Sequence, residues 1–205
     1  MASAIARNTL SAMILSGGAS SRMGQDKAWV CVDGVPLLQR TCAIAQACAQ
    51  SVVVVTRWES HRAIAPVTCD VLLESEFAIA GAGPLVAFAQ AFPRISTEWV
   101  LLLACDLPAL QAAIVQRWMT QWDGRAIALL PRTGDRWEPL CGFYHRDCLP
   151  SLQACVAQGE RSFQRWLASI AVQAIAMSDD AIAPEQAMLF NCNTPQDLAQ
   201  IPPQY

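Results

Sequence analysis

Thirteen residues near the N-terminus, Leu15-Ser16-Gly17-Gly18-Ala19-Ser20-Ser21-Arg22-Met23-Gly24-Gln25-Asp26-Lys27, combine three kinds of phosphate-binding group. Glycines let backbone N–H groups approach a phosphate closely, and Ser20 and Ser21 add hydroxyl donors. Arg22 offers a planar fork to phosphate oxygens, while Lys27 is a mobile point charge. The loop follows an apolar run, Ala12–Leu15, that reads as a buried strand. It therefore falls at the carboxyl edge of a sheet, where open α/β folds bind ligands. Neither familiar phosphate loop fits. A Walker loop needs Lys directly after its last glycine, and Gly24 is followed by Gln25; the dinucleotide spacing G-x-G-x-x-G is also missing. The rival reading is a solvated loop whose Arg and Lys serve solubility.

A second chemical group stands after the most apolar run of the chain, Trp99–Ala104, which stops at Cys105-Asp106. A carboxylate there can hold one Mg²⁺ that also touches a triphosphate, because Mg²⁺ uses few carboxylates and takes its remaining ligands from phosphates and water. Alternatively, Asp106 caps the turn ahead of Pro108. The nine cysteines include no C-x-x-C pair, and His61 and His145 are the only histidines. Reduced, buried thiols acting as small apolar groups account for the cysteines better than a metal site does.

These groups must be positioned by an alternation of short β-like runs and helical patterns, the mark of an α/β fold with a mostly parallel sheet. Trp29–Val32 is a short extended piece turned by Asp33-Gly34. Pro36 opens a helix to about Gln50. Ser51–Thr56 is a strand buried on both faces, and Val71–Leu73 a weaker one. A helix runs from Pro84 to about Phe92, and another from Leu110 to Trp122. Ala126–Leu130 and Pro139–Tyr144 are extended. Leu149–Gln158 is helical with Gly159 as its cap, and Thr194-Pro195 starts a last helix. Without repeats, low-complexity stretches or long linkers, the 205 residues read as a single domain.

Composition narrows the partners. Apolar residues make up 54% and charged residues 15% of the chain, which excludes a disordered, highly charged protein. A net charge of −3 and a pI near 5.3 argue against nucleic acid as the main partner, since a phosphate backbone calls for a basic stripe. The longest apolar run is far short of the roughly 20 residues a membrane-spanning helix needs. Met1–Leu15 lacks a long apolar region with a small-residue cleavage site, so no membrane association and a cytoplasmic location are expected.

The string L-S-G-G-x-S-x-R-M-G-x-D-K resembles the signature loop of nucleotidyltransferases of the sugar-nucleotide type and, within them, the molybdenum cofactor guanylyltransferases. Further matching pieces follow in order: Gly83-Pro84-Leu85, Cys105-Asp106-Leu107-Pro108, Gly159-Glu160-Arg161 with Arg165-Trp166-Leu167, and Asn191-Cys192-Asn193-Thr194-Pro195-Gln196-Asp197-Leu198. Together they span about residues 12 to 200.

The resemblance implies one Rossmann-like domain of the nucleotide-diphospho-sugar transferase type, with a nucleotide-binding half over about 10–108 and an acceptor-binding half over about 109–205. It implies transfer of GMP from GTP to molybdopterin carrying molybdenum, with Mg²⁺ as cofactor at Asp106. Molybdoenzymes or their chaperones would receive the product. By the same resemblance Leu15, Ser16, Gly17, Gly18 and Lys27 meet the nucleotide, and Arg22, Lys27 and Asp106 carry catalysis. Ser16 stands where the family usually has Ala. Thr56 takes the place of an Asn that helps hold the base or ribose, and Glu74 that of an Asp. Strand-end polar residues facing water are the competing account of Thr56. Arg161, Arg165, Asn191 and Asn193 are acceptor-binding candidates; solvated helix arginines and a turn are the alternatives for them. Gly17-Gly18 favours guanine, since cytidylyl relatives tend to carry Ala-Ala-Gly there. A cytidylyl or sugar-phosphate nucleotidyltransferase is the nearest alternative. A non-catalytic module that binds the cofactor is a more distant one.

Overall fold

The computed structural model describes residues 4–17, 26–80, 82–177, 184–190 and 192. Strand β1 (Leu10–Ser16) is followed by a two-strand ribbon, β2 (Cys31–Val32) and β3 (Val35–Pro36), and helix α1 (Leu37–Cys48). Next come β4 (Ser51–Thr56), β5 (Asp70–Leu73), α2 (Pro84–Ala91), β6 (Trp99–Ala104), α3 (Ala112–Met119) and β7 (Ala128–Leu130). A second ribbon, β8 (Arg132–Thr133) and β9 (Arg136–Trp137), precedes β10 (Cys141–His145), α4 (Leu149–Ala157), α5 (Phe163–Leu167), β11 (Val172–Ala174) and α6 (Pro184–Met188).

Seven strands form one sheet in the order β11-β7-β10-β6-β1-β4-β5. Only β10 runs antiparallel to its neighbours, β6 and β7; every other pairing is parallel. The mostly parallel α/β expectation therefore holds. Strands covered on both faces need apolar side chains on both sides of the pleat, and β1 and β6 show this residue by residue. Leu10, Ala12 and Ile14 of β1 and Trp99, Leu101 and Leu103 of β6 face one layer, which holds Leu38, Cys42 and Ala45 of α1 and Ile114, Val115 and Trp118 of α3. Met13, Leu15, Val100 and Leu102 face the other, built from α2, α4 and α5. There Phe88 stacks on Phe92 with centroids 5.0 Å apart, and Tyr144 stacks on Trp166 at 5.7 Å. The Tyr144 hydroxyl meets its polar need by donating to the Pro139 carbonyl at 2.8 Å.

Several element limits shift by one to three residues. Pro36 is the N-cap of α1 rather than its first residue, with ψ of 141°. The helix expected over Leu110–Trp122 contracts to Ala112–Met119, because i→i+3 bonds (Leu110 N–H to Leu107, Thr120 N–H to Arg117) tighten both approaches to it. Gly159, at φ of 87°, closes α4 in the left-handed conformation that favours glycine. The helix start at Thr194-Pro195 lies outside the described residues.

The winding order selects one crevice. From β1 the chain moves through α1 to β4 and on to β5; α2 then crosses the opposite face and delivers β6 to the other side of β1. The strand order reverses at β1/β6, so the carboxyl ends of those strands are the place where an open α/β sheet accommodates a ligand. The registers Leu15↔Ala104 and Ser16↔Thr56 bring the ends of β6, β1 and β4 level with one another.

Candidate active site

Asp106 lies two residues past the end of β6, on a turn pinned to its surroundings. The Cys105 N–H donates to the Leu15 carbonyl at 3.2 Å, and the Asp106 carbonyl accepts from the Cys192 N–H at 3.0 Å. The carboxylate meets Lys27 across the crevice, with Nζ 2.8 Å from Oδ2 and both side chains about one-fifth exposed. At that distance the ammonium neutralises a carboxylate that is largely withdrawn from water, where a pair interacts more strongly than on the open surface. Lys27 is also the sole lysine of the chain, beside thirteen arginines. Thus two of the residues expected to carry chemistry, 79 positions apart, are in direct contact.

Gly17 explains itself by proximity. A Cβ built there would lie 2.6 Å from Glu74 Oε1 and 3.3 Å from Arg57 Cγ. A side chain at this position would displace the Glu74 carboxylate, which is itself nearly buried. Glu74, carried by the turn after β5, thus reaches the end of β1. The stem of Arg57, a residue the sequence did not single out, packs against the same spot, and its guanidinium stands over the Trp58 ring.

Thr56 and Ser16 are turned inward. Thr56 is fully buried; its Oγ1 lies 2.7 Å from His61 Nδ1 and accepts from the Trp58 N–H at 3.1 Å. Ser16 Oγ is 3.2 Å from the same ring nitrogen. His61 Nε2 meets Asp26 Oδ2 at 2.6 Å, and Asp26 Oδ1 accepts from the Ala28 N–H, capping the short turn that carries Lys27. His61 and Asp26 drew no assignment from the sequence. Ser16 and Thr56, both departures from the family pattern, share His61 as a partner.

Cys105, beside Asp106, is a neutral thiol: burial first, then the Asp106 charge, pushes it up to about 12. A thiol held that high is no nucleophile at neutral pH. All nine cysteines are free and most are buried, as expected of small apolar groups.

Arg161 and Arg165 gather around Glu160. Arg165 Nε is 2.9 Å from Glu160 Oε2, while the Arg161 guanidinium turns back to the Val156 and Glu160 carbonyls. Hydrogen bonds from the Ser162 and Arg161 N–H groups hold the Glu160 carboxyl below its usual range. Arg161 also lines an open groove of about 600 Å³ with Arg94, Gln90 and Gln153. Gln164 Oε1 and Nε2 bond the Trp137 backbone, which ties α5 to the ribbon beyond the carboxyl end of β7, the edge that also bears Asp106. Gly18, Arg22, Asn191 and Asn193 lie outside the described residues; Cys192, between the two asparagines, is the residue bonded to Asp106. Among the described residues no three acidic, His or Cys side chains cluster as a metal cage, and no helix is long and apolar enough to cross a membrane.

The mostly parallel sheet that opens at β1/β6 onto a paired ammonium and carboxylate, with no activated nucleophile beside them among the described residues, is that of a nucleotidyltransferase. Residues 12–174 match the MobA-like NTP transferase domain, and the chain belongs to that family. It is 49% identical over 198 residues, 95% of this chain and 91% of the relative, to a probable molybdenum cofactor guanylyltransferase of Nostoc sp.. Its fold resembles that of molybdopterin-guanine dinucleotide biosynthesis protein A from Archaeoglobus fulgidus (TM-score 0.75, 21% identity, 93% of this chain and 96% of that one). It also resembles 2-C-methyl-D-erythritol 4-phosphate cytidylyltransferase from Thermus thermophilus (TM-score 0.68, 19% identity, 93% and 96%). The fold is therefore shared by proteins named for guanine and for cytidine nucleotides, and does not by itself fix the base.

Proposed function

We propose that the protein transfers GMP from GTP to the terminal phosphate of molybdopterin carrying molybdenum, giving the guanine dinucleotide cofactor and pyrophosphate. The observation that carries this reading is the Lys27–Asp106 pair at the sheet's switch point, in a chain nearly half identical to a probable molybdenum cofactor guanylyltransferase. An acceptor phosphate oxygen attacks the α-phosphorus of GTP, and the bond to the β-phosphate oxygen breaks with its electron pair leaving on pyrophosphate. An ionised phosphate is already a nucleophile, so catalysis reduces to positioning and charge neutralisation.

In this reading the backbone at Leu15, Ser16, Gly17 and Gly18 meets the nucleotide, with Glu74 at the base or ribose end. Thr56 acts there from beneath, through the groups it holds. Arg22 and Lys27 stabilise the departing pyrophosphate; Lys27, on a flexible stem, can turn from Asp106 toward the phosphates. Asp106 would hold Mg²⁺. The fit rests on a carboxylate already facing a cationic group, which suits an ion that takes most of its ligands from phosphate and water. When bound, the ion supplies Lewis-acid polarisation of the phosphates. Arg161, Arg165, Asn191 and Asn193 are assigned to the acceptor. Residues 1–205 act as one domain, nucleotide on about 10–108 and acceptor on about 109–205. The enzyme works in the cytoplasm without nucleic acid or membrane and passes its product to molybdoenzymes or their chaperones.

A panel of the four triphosphates, each assayed with molybdopterin for pyrophosphate release, tests the proposal. Turnover with GTP is expected. Preference for CTP, turnover only with a sugar phosphate, or binding without pyrophosphate release would each replace it.

A further inference from the structure

His61 sits on the turn after β4 and is fully buried, yet each of its ring nitrogens has a polar partner. An ionised carboxylate only accepts, so Nε2 carries the proton and donates to Asp26. Nδ1 meets the Thr56 and Ser16 hydroxyls, each of which can donate or accept, and Thr56 Oγ1 also accepts from the Trp58 N–H. Three segments converge on one rigid ring: the end of β1 through Ser16, the end of β4 through Thr56, and the return of the glycine loop through Asp26. Asp26 divides its two oxygens between His61 and the Ala28 N–H, so the carboxylate that reaches the ring also caps the turn bearing Lys27.

We propose that His61 is a positioning residue for the transfer reaction, acting through Asp26 to hold the turn that aims Lys27 at Asp106. The proposal rests on the nucleotidyl-transfer reading. A fully satisfied buried network specifies one arrangement of its members, and an imidazole cannot shorten or bend to follow a wandering loop. Lys27 contributes its charge from a flexible side chain, so the fixed point must lie in the backbone beneath it. The His61–Asp26 bond fixes that backbone to the sheet.

Two measurements test this. With GTP and molybdopterin, His61→Asn, which keeps a polar atom near Nδ1 and loses the reach to Asp26, is expected to lower kcat about 10- to 100-fold, as displaced catalytic groups do, with a smaller change in KM for GTP. His61→Gln places an amide N–H near Nε2 and should recover most of that loss. In a Lys27→Ala background the His61→Asn effect should vanish, because its route to chemistry is already gone. Separately, amine acetylation read by mass spectrometry reports on Lys27 without turnover, as the sole lysine, with the N-terminal amine as internal control. Lys27 should be protected in the wild type and label severalfold faster in His61→Asn and in Asp26→Asn. Asp26→Asn, at a side chain one-third exposed, serves alone should His61→Asn fail to fold. Wild-type labelling of Lys27 in the folded variants, or a kcat loss that multiplies undiminished onto Lys27→Ala, would overturn the proposal. A wild type that released no pyrophosphate from GTP would remove the transfer reading and leave the strap to be judged by labelling.

Discussion

Lys27 Nζ stands 2.8 Å from Asp106 Oδ2, and the two residues reach each other from opposite sides of the crevice where the strand order reverses. The contact is a property of topology. Asp106 follows β6 and Lys27 follows β1, and only the parallel pairing of these strands makes them neighbours. An ammonium on a four-carbon stem is strongly charged and free to rotate, whereas a guanidinium fork fixes its geometry. A chain with thirteen arginines and one lysine places its lysine against Asp106.

Replacing Lys27 tests that point. Lys27→Ala should lower kcat for pyrophosphate release by about 10²–10³, the scale of losing one electrostatic stabiliser of developing charge. Lys27→Arg keeps the charge and loses the compact, rotating donor, so it should remain well below wild type. Steady-state assays of both variants decide. Full activity in Lys27→Arg would mean that charge alone suffices.

Gly17 is constrained by the Glu74 carboxylate, 2.6 Å from where a Cβ would sit. In Gly17→Ala, Glu74 or the end of β1 must move, at a cost of about 1–3 kcal/mol if it resembles other overpacked sites. On the proposed placement of the nucleotide beside Glu74, the strain should appear as weaker GTP binding in calorimetry, by roughly five- to a hundredfold. Unchanged affinity would show that Glu74 does not face the nucleotide.

Buried thiols give the protein a pH limit. Burial pushes Cys48 up to about 11 and Cys141 and Cys148 up to about 12, from an ordinary 9.0. Burial likewise raises the Tyr144 hydroxyl well above its ordinary 10.0. In each case the folded value lies above the unfolded one. The stability these groups provide is therefore complete below about pH 9 and declines as pH rises toward the folded values, since the unfolded chain loses protons first. Melting temperatures under reducing conditions should be flat from neutral pH to just below 9 and fall steadily above it. A melting temperature that held or rose up to pH 11 would contradict the buried, neutral thiols.

The strands, and Lys27 and Asp106 as candidate residues, were legible because their causes are local. Ser51–Thr56 and Trp99–Ala104 coincide with β4 and β6 to the residue, since strands covered on both faces must be continuously apolar. Lys27 and Asp106 could be singled out because each follows such a strand. α5 and β11 were not read as elements: five and three residues are too few to display a period. His61 was invisible for another reason. Its partners are residues 16, 26 and 56, and no spacing along the chain announces that a sheet edge and a returning loop will close around one imidazole. Thr56, read as a strand-end group facing ligand or water, is fully buried and part of that closure.

The most direct measurement is pyrophosphate release from GTP in the presence of molybdopterin and Mg²⁺, wild type beside Asp106→Ala. GTP-dependent release by the wild type is expected, with the variant slower by about 10²–10³. An Asp106→Ala enzyme turning over near the wild-type rate would contradict the account, because the carboxylate that Lys27 faces would then have no part in the chemistry.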